Sequence, residues 1–237
     1  MIATRARRTT TGVVVVLSIL VILALTLAYF TFERYPPIVS QNRIELILDK
    51  GEPLQVSFVG DSLDYGLFAS EKTLGFHELM VEEWRKDGSV VDESENTIGG
   101  TAAGALTTPN FPRAQQLYVV ELGTNDARLV DYRDFRTQYA RLLDRIRNAS
   151  PDAALVCVGV WRPKEIADTF DTIIKDLCEV RGGVFRAIRD LAEDKDLRGP
   201  AGVATFGGKS DAFHPNDRGH RMIADRVLDA ISVNRQG

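Results

Sequence analysis

Hydrophobic positions along the chain fall into three patterns, and each predicts a different kind of element. The first is an unbroken apolar run from Val13 to Phe30 (VVVVLSILVILALTLAYF) without a charged residue. With Gly12, Thr31 and Phe32 it reaches about 20 residues, enough for one helix to cross roughly 30 Å of hydrocarbon. The second pattern is short and apolar on both faces: LQVSFVG (54–60), QLYVVELG (116–123), AALVCVGV (153–160) and VFRAI (184–188), with a weaker example from Ser89 to Val91. These read as buried strands, VFRAI as the last of them. The third has the helical period. Phe76, Leu79, Met80 and Trp84 share one face of residues 75–87, and Phe135, Tyr139, Leu142, Leu143 and Ile146 form a stripe over 134–148. A further helix is expected near 168–180. A final one should begin near Asp217 and bury Met222, Ile223, Val227, Leu228 and Ile231.

Continuous apolar strands alternating with helices predict a parallel sheet covered on both faces. The expected fold is α/β: a three-layer α/β/α sandwich on a parallel, flavodoxin-like, five-stranded sheet, preceded by one N-terminal transmembrane helix. The chain then divides into an arm (1–11), a membrane anchor (12–32), a tether (33–52) and a globular domain (53–237). Within the tether, Pro36-Pro37 stiffens the exit and Ile44–Leu48 is expected to pack as a short element against the domain.

Charge orients this arrangement. Arg5, Arg7 and Arg8 precede the apolar run, whereas Glu33 and Arg34 follow it, which puts the arm in the cytoplasm and the domain outside. A cleaved signal, with Thr26 and Ala28 as its small-residue pair, is the competing reading and sends the domain to the same side. Hydrophobic residues make up 44% and charged residues 26%, as in a packed globular protein. Three of the 29 Lys and Arg lie in the arm, leaving 26 against 33 Asp and Glu beyond residue 32. A net charge of −7 there excludes a phosphate backbone as the natural partner, so no nucleic acid is expected. Cys157 lies on a strand-like run and Cys178 on a helix-like one, with no metal-ligand spacing, and two buried, unpaired thiols are expected.

In an open parallel sheet ligands bind beyond the carboxyl ends of the strands, where strand order reverses. Four segments just past the predicted elements carry suitable chemistry. Gly60-Asp61-Ser62-Leu63 offers a hydroxyl at a strand-to-helix turn, or a plain helix cap. Ile98-Gly99-Gly100-Thr101 offers a backbone amide that a ligand can approach, or an ordinary loop. Gly123-Thr124-Asn125-Asp126 offers a side-chain amide, or an Asx turn. Asp211-Ala212-Phe213-His214-Pro215 places a carboxylate three residues before a histidine that the following proline keeps extended. The other two histidines are expected to be structural, His77 on a surface helix position and His220 as a solvent-facing or capping residue.

Together these blocks resemble the SGNH (GDSL) hydrolase family over residues 54 to about 231, with GDSL at 60–63, GxND at 123–126 and DxxH at 211–214 in the family's order. The resemblance implies Ser62 as nucleophile, His214 as base and Asp211 as its orienting acid. It implies an oxyanion hole made by the N–H of Ser62, the N–H of Gly100 and the side chain of Asn125, with Gly99 an alternative to Gly100. The implied activity is hydrolysis of acyl esters through an acyl-enzyme, without metal or organic cofactor. With the domain placed outside the cell by its N-terminal charges, the expected substrate is a small-molecule or polysaccharide ester, an acylated carbohydrate or lipid. Acyl transfer to a cell-surface polysaccharide is the alternative, and a non-catalytic surface module a third. Trp161 is expected to pack on the domain rather than stack on a sugar.

Overall fold

The computed structural model describes residues 43–96 and 100–236, so the expected arm, membrane anchor and most of the tether lie outside the described residues. Among the described residues no helix is long and apolar enough to cross a membrane. The strands are β1 (Ile44–Asp49), β2 (Leu54–Gly60), β3 (Val90–Asp92), β4 (Glu95–Asn96), β5 (Leu117–Glu121), β6 (Ala154–Val158), β7 (Val184–Arg186), β8 (Ala204–Thr205), β9 (Gly208–Lys209) and β10 (Ile231–Gln236). The α-helices are α1 (Phe76–Arg85), α2 (Ala102–Ala105), α3 (Asp126–Leu129), α4 (Tyr132–Ala149), α5 (Lys164–Glu179), α6 (Arg189–Glu193) and α7 (Asp217–Leu228).

The central sheet is parallel, in the order β3-β2-β5-β6-β7, and it has six strands rather than the expected five, because the short β4 also pairs with β2. This is the flavodoxin-like order that the apolar runs predict. The chain leaves β2 toward β3 and returns on the other side at β5, so strand order reverses between β2 and β5. Register brings Gly60 opposite Glu121 and Glu121 opposite Val158, which levels the carboxyl ends of the three central strands. Two-residue alternation feeds two cores. Leu54, Val56, Phe58, Leu117, Val119, Val156 and Val158 join Phe76, Met80, Trp84, Ile223 and Val227 of α1 and α7 in the first. Val59, Tyr118, Val120, Leu155 and Cys157 join Phe135, Tyr139, Leu142, Ile174 and Leu177 of α4 and α5 in the second. Each large apolar side chain taken fully out of water contributes roughly 1.5–3 kcal/mol, and a sheet buried on both faces gathers this contribution twice.

Three expectations need correction here. Cys157 and Cys178 are joined in a disulfide, with their Cα atoms 6.2 Å apart. Cys157 faces the second core, the side on which α5 runs back along β6, and the crossover brings Cys178 in the last turn of α5 over it. The terminal helix buries Ile223 and Val227 but leaves Met222 exposed and Leu228 half-buried, because Met222 falls off the apolar stripe. Nor is β7 the last strand. Ile231 belongs to β10, which pairs in parallel with β1, from Ile44 opposite Ile231 to Asp49 opposite Gln236. The Ile44–Leu48 element therefore packs on the domain as expected, but through a C-terminal strand that polar Ser232, Asn234 and Gln236 conceal in the sequence.

Candidate active site

The reversal point between β2 and β5 fixes where the four sequence blocks meet. Directly after β2, Asp61 is buried and its Oδ1 accepts the Leu63 N–H at 2.9 Å. The helix expected over 75–87 forms as α1, but none begins at Ser62 itself. The chain instead makes successive turns, in which Leu67 N–H donates to the Ser62 carbonyl at 2.9 Å, and Gly66 and Phe68 at positive φ prevent helical continuation. These turns leave the Ser62 hydroxyl at a cavity of about 620 Å³.

On the far side of that cavity, the DxxH segment is wound by its own aspartate. Asp211 Oδ1 accepts the N–H groups of Phe213 and His214, both at 2.8 Å, and Oδ2 lies 2.8 Å from His214 Nδ1. Although partial burial opposes ionisation, these N–H donors and the imidazole hold the Asp211 carboxyl below its ordinary range. Two residues on, Asn216 caps α7 by accepting the Gly219 N–H at 3.0 Å, so the helix begins just after His214 and fixes it. The imidazole stands edge-on to the rings of Phe68 and Phe213, and its Nε2 is 2.9 Å from Ser62 Oγ. Ser62, His214 and Asp211 thus form one hydrogen-bonded chain across 152 residues of sequence.

Gly100 and Asn125 complete the wall. Gly100 takes φ +59°, which an L side chain rarely adopts, and a Cβ there would meet Asn125 Nδ2 at 3.0 Å. Asn125 Nδ2 donates to the Gly100 carbonyl at 3.0 Å and to Asp61 Oδ2 at 3.1 Å. Asp126 carries the next connection, accepting the Ala102 N–H at 3.1 Å and so tying the GxND turn to the glycine loop. Burial pushes its carboxyl up to about 6 against that N–H. Residue 99 lies outside the described residues, and the cavity wall is formed by Gly100.

The profile of the GDSL-like lipase/acylhydrolase family matches residues 58–222, the span that contains all four blocks. The chain belongs to this family. As a GDSL-like acylhydrolase it is a carboxylic ester hydrolase. Among solved structures, the psychrotrophic esterase EstA from a Pseudoalteromonas species is 18% identical with a TM-score of 0.57, over 75% of this chain and 96% of that one. Phospholipase A1 from Streptomyces albidoflavus gives 15% and 0.55, over 75% and 99%. A two-domain esterase active on acetylated mannans gives 17% and 0.58, over 76% of this chain and 50% of that one. No curated protein sequence matches this GDSL-like hydrolase.

Around these residues the hydrolase carries polar groups that the sequence reading passed over. Glu121, at the end of β5, is buried beneath Asp61 and receives its N–H at 3.4 Å. Burial pushes both carboxyls upward. Asp61 rises to about 7, with the charges of Asp64 and Asp126 adding to it against the Leu63 N–H and the bond to Glu121. Glu121 stands well above its ordinary value, with the charge of Asp61 as the second cause, so the pair retains a proton near neutrality. His77 is not a surface residue. It stacks on Phe58 with ring centroids 3.8 Å apart and lies between Asp64 Oδ1 (3.1 Å) and Asp92 Oδ2 (2.8 Å). His220 is wholly buried rather than solvent-facing. Burial lowers it to about 4, and its neutral ring accepts the Phe76 N–H at Nδ1. Trp161 packs inside the domain, as expected, and its Nε1–H donates to the Phe213 carbonyl at 2.8 Å, bracing the histidine loop. Arg128 and Arg162 also line the cavity. Arg162 sits just past the carboxyl end of β6, the rule that located Ser62 and Asn125 and would have found it too, whereas Arg128 lies one helical turn beyond Asn125 on α3.

Proposed function

We propose that this GDSL-like hydrolase cleaves acyl esters by nucleophilic catalysis at Ser62, acting outside the cytoplasm on acylated carbohydrate or lipid. The observation that carries the reading is the chain Ser62 Oγ, His214 Nε2, His214 Nδ1, Asp211 Oδ2, with links of 2.9 and 2.8 Å. His214 takes the Ser62 proton as Oγ attacks the ester carbonyl, and Asp211 orients the imidazole and stabilises its charged form. The tetrahedral oxyanion faces the N–H groups of Ser62 and Gly100 and the amide of Asn125, which exchanges one of its two present acceptors for the developing charge. The alcohol leaves with the proton from His214. Water, deprotonated by the same imidazole, then releases the acid.

The substrate class is supported by the solved relatives, of which one is described as active on acetylated mannans and another as a phospholipase A1. The location is supported by the apolar run at 12–32 behind three arginines. One experiment addresses both parts. Intact cells expressing the full chain should hydrolyse a membrane-impermeant chromogenic acetyl ester, and cells expressing Ser62→Ala should not. Turnover that emerges only on lysis would overturn the location, and Ser62→Ala turnover equal to wild type would overturn the mechanism.

A further inference from the structure

Two guanidinium groups converge on the cavity that holds Ser62, and nothing in the proposed ester mechanism uses them. Arg128 projects from α3, one helical turn after Asn125, and Arg162 from the loop after β6. Arg162 is fixed in place. Its Nε–H donates to the Thr124 carbonyl at 3.0 Å, and its guanidinium carbon lies 4.4 Å from the centre of the Phe213 ring, beside His214. Partial burial first, and the nearby Arg128 second, depress its basicity, against an opposing pull from the Asp61 carboxyl.

Neither arginine has a carboxylate partner among the described residues. The two acids of the cavity are already committed, Asp211 to His214 and the segment around it, Asp61 to Leu63 and Asn125. The domain as a whole is acidic, so two cations on one cavity wall, neither of them in an ion pair among the described residues, run against its own charge. Two like charges held close together cost free energy, and an anion bound between them relieves it.

We infer that Arg128 and Arg162 form an anion subsite, and that the preferred substrate is an ester carrying a carboxylate or phosphate group within reach of both. The inference rests on the proposed Ser62 chemistry and narrows its substrate. Guanidinium suits either anion, because its planar fork gives paired charge-assisted hydrogen bonds to two oxygens. A cavity of about 620 Å³ holds a small ester or the terminal unit of a longer one.

Three acetyl esters of matched shape provide the test: 4-acetoxybenzoate, 4-acetoxyphenyl phosphate, and neutral methyl 4-acetoxybenzoate. For each anionic ester the ratio of its kcat/KM to that of the neutral ester is measured in wild type, Arg128→Gln and Arg162→Gln. Differences in leaving-group reactivity cancel when these ratios are compared between proteins. Loss of a charge-assisted bond should lower the ratio about tenfold or more in each variant. The wild-type ratio should also fall with added salt. Arg128→Gln is the deciding variant, since Arg128 is exposed and its side chain makes no hydrogen bond or ion pair among the described residues, whereas Arg162 also holds the Thr124 carbonyl. Arg162→Lys, which keeps the charge but not the fork, should fall between wild type and Arg162→Gln. Whichever anion shows the larger drop identifies the group the site prefers. Equal ratios in wild type and both Gln variants would overturn the subsite while leaving ester hydrolysis intact. Absence of Ser62-dependent turnover on all three esters would overturn the hydrolytic reading and the subsite with it.

Discussion

Asn125 holds two bonds in the free protein, to Asp61 and to the Gly100 carbonyl, and both roles considered for it make different demands on them. If its amide meets the oxyanion, its contribution grows as charge develops, and Asn125→Ala should lower kcat far more than it raises KM. Removal of one such donor costs about 3–4 kcal/mol, roughly a hundred- to thousand-fold in kcat. If the amide only braces the Gly100 loop, the variant should lose about 1 kcal/mol of stability and keep most of its turnover. Kinetics and thermal melts on one preparation separate the two: a depressed melting temperature with normal kcat would remove Asn125 from the chemistry. At this scale the sequence was legible where a residue type has few uses. A histidine three residues after an aspartate and just before a proline gains its meaning from the other blocks that precede it, and Ser62, Asp211 and His214 come together as those blocks predict. Glu121 was not legible, because a carboxylate inside an apolar strand looks like an ordinary interruption until Asp61 is seen above it.

Among elements, the turns after Ser62 are clamped from outside by α1, and His77 is the clamp. It joins Asp64 of those turns to Asp92 at the end of β3. Burial works against its charge, but the two carboxylates, Asp64 foremost, raise it from 6.5 to about 10. Below pH 6.5 the imidazole is charged in folded and unfolded chains alike, and the full ion-pair contribution is present. Between 6.5 and 10 folding must take up a proton, so the contribution declines, and above 10 it is gone. The stability difference between wild type and His77→Gln should therefore be largest near pH 6 and shrink steadily toward pH 10 in denaturant titrations. A difference that stays constant over that range would contradict the clamp. The helix period did not announce this role, because His77 adjoins the apolar stripe of α1 and faces a strand end rather than solvent. Long amphipathic helices such as α4 were readable because one stripe is enough to define them. The short β8–β9 hairpin and the polar β10 were not, since their pairing depends on partners distant in sequence or on turn geometry. The disulfide was hidden for the same reason, as only the β6–α5 crossover brings Cys157 to Cys178.

For the molecule as a whole, the order of the sheet does most to explain the function. Reversal between β2 and β5 opens one crevice, and the strand ends bring a hydroxyl, an amide and two guanidinium groups to it, while α7 presents the histidine from across the cavity. Membership of the GDSL-like family assigns ester hydrolysis to the chain, and the proposed steps are drawn from the hydrogen-bonded arrangement of Ser62, His214 and Asp211. The central claim is that Ser62 is a nucleophile made reactive by His214. Covalent capture tests it most directly. The full-length protein is incubated with a fluorophosphonate, and the adduct is located by peptide mass mapping. The account predicts one phosphonylated residue, Ser62, with labelling slowed by orders of magnitude in a folded His214→Ala variant, since the two act as a unit. No adduct, an adduct on another serine, or equally fast labelling of Ser62 without His214 would contradict it.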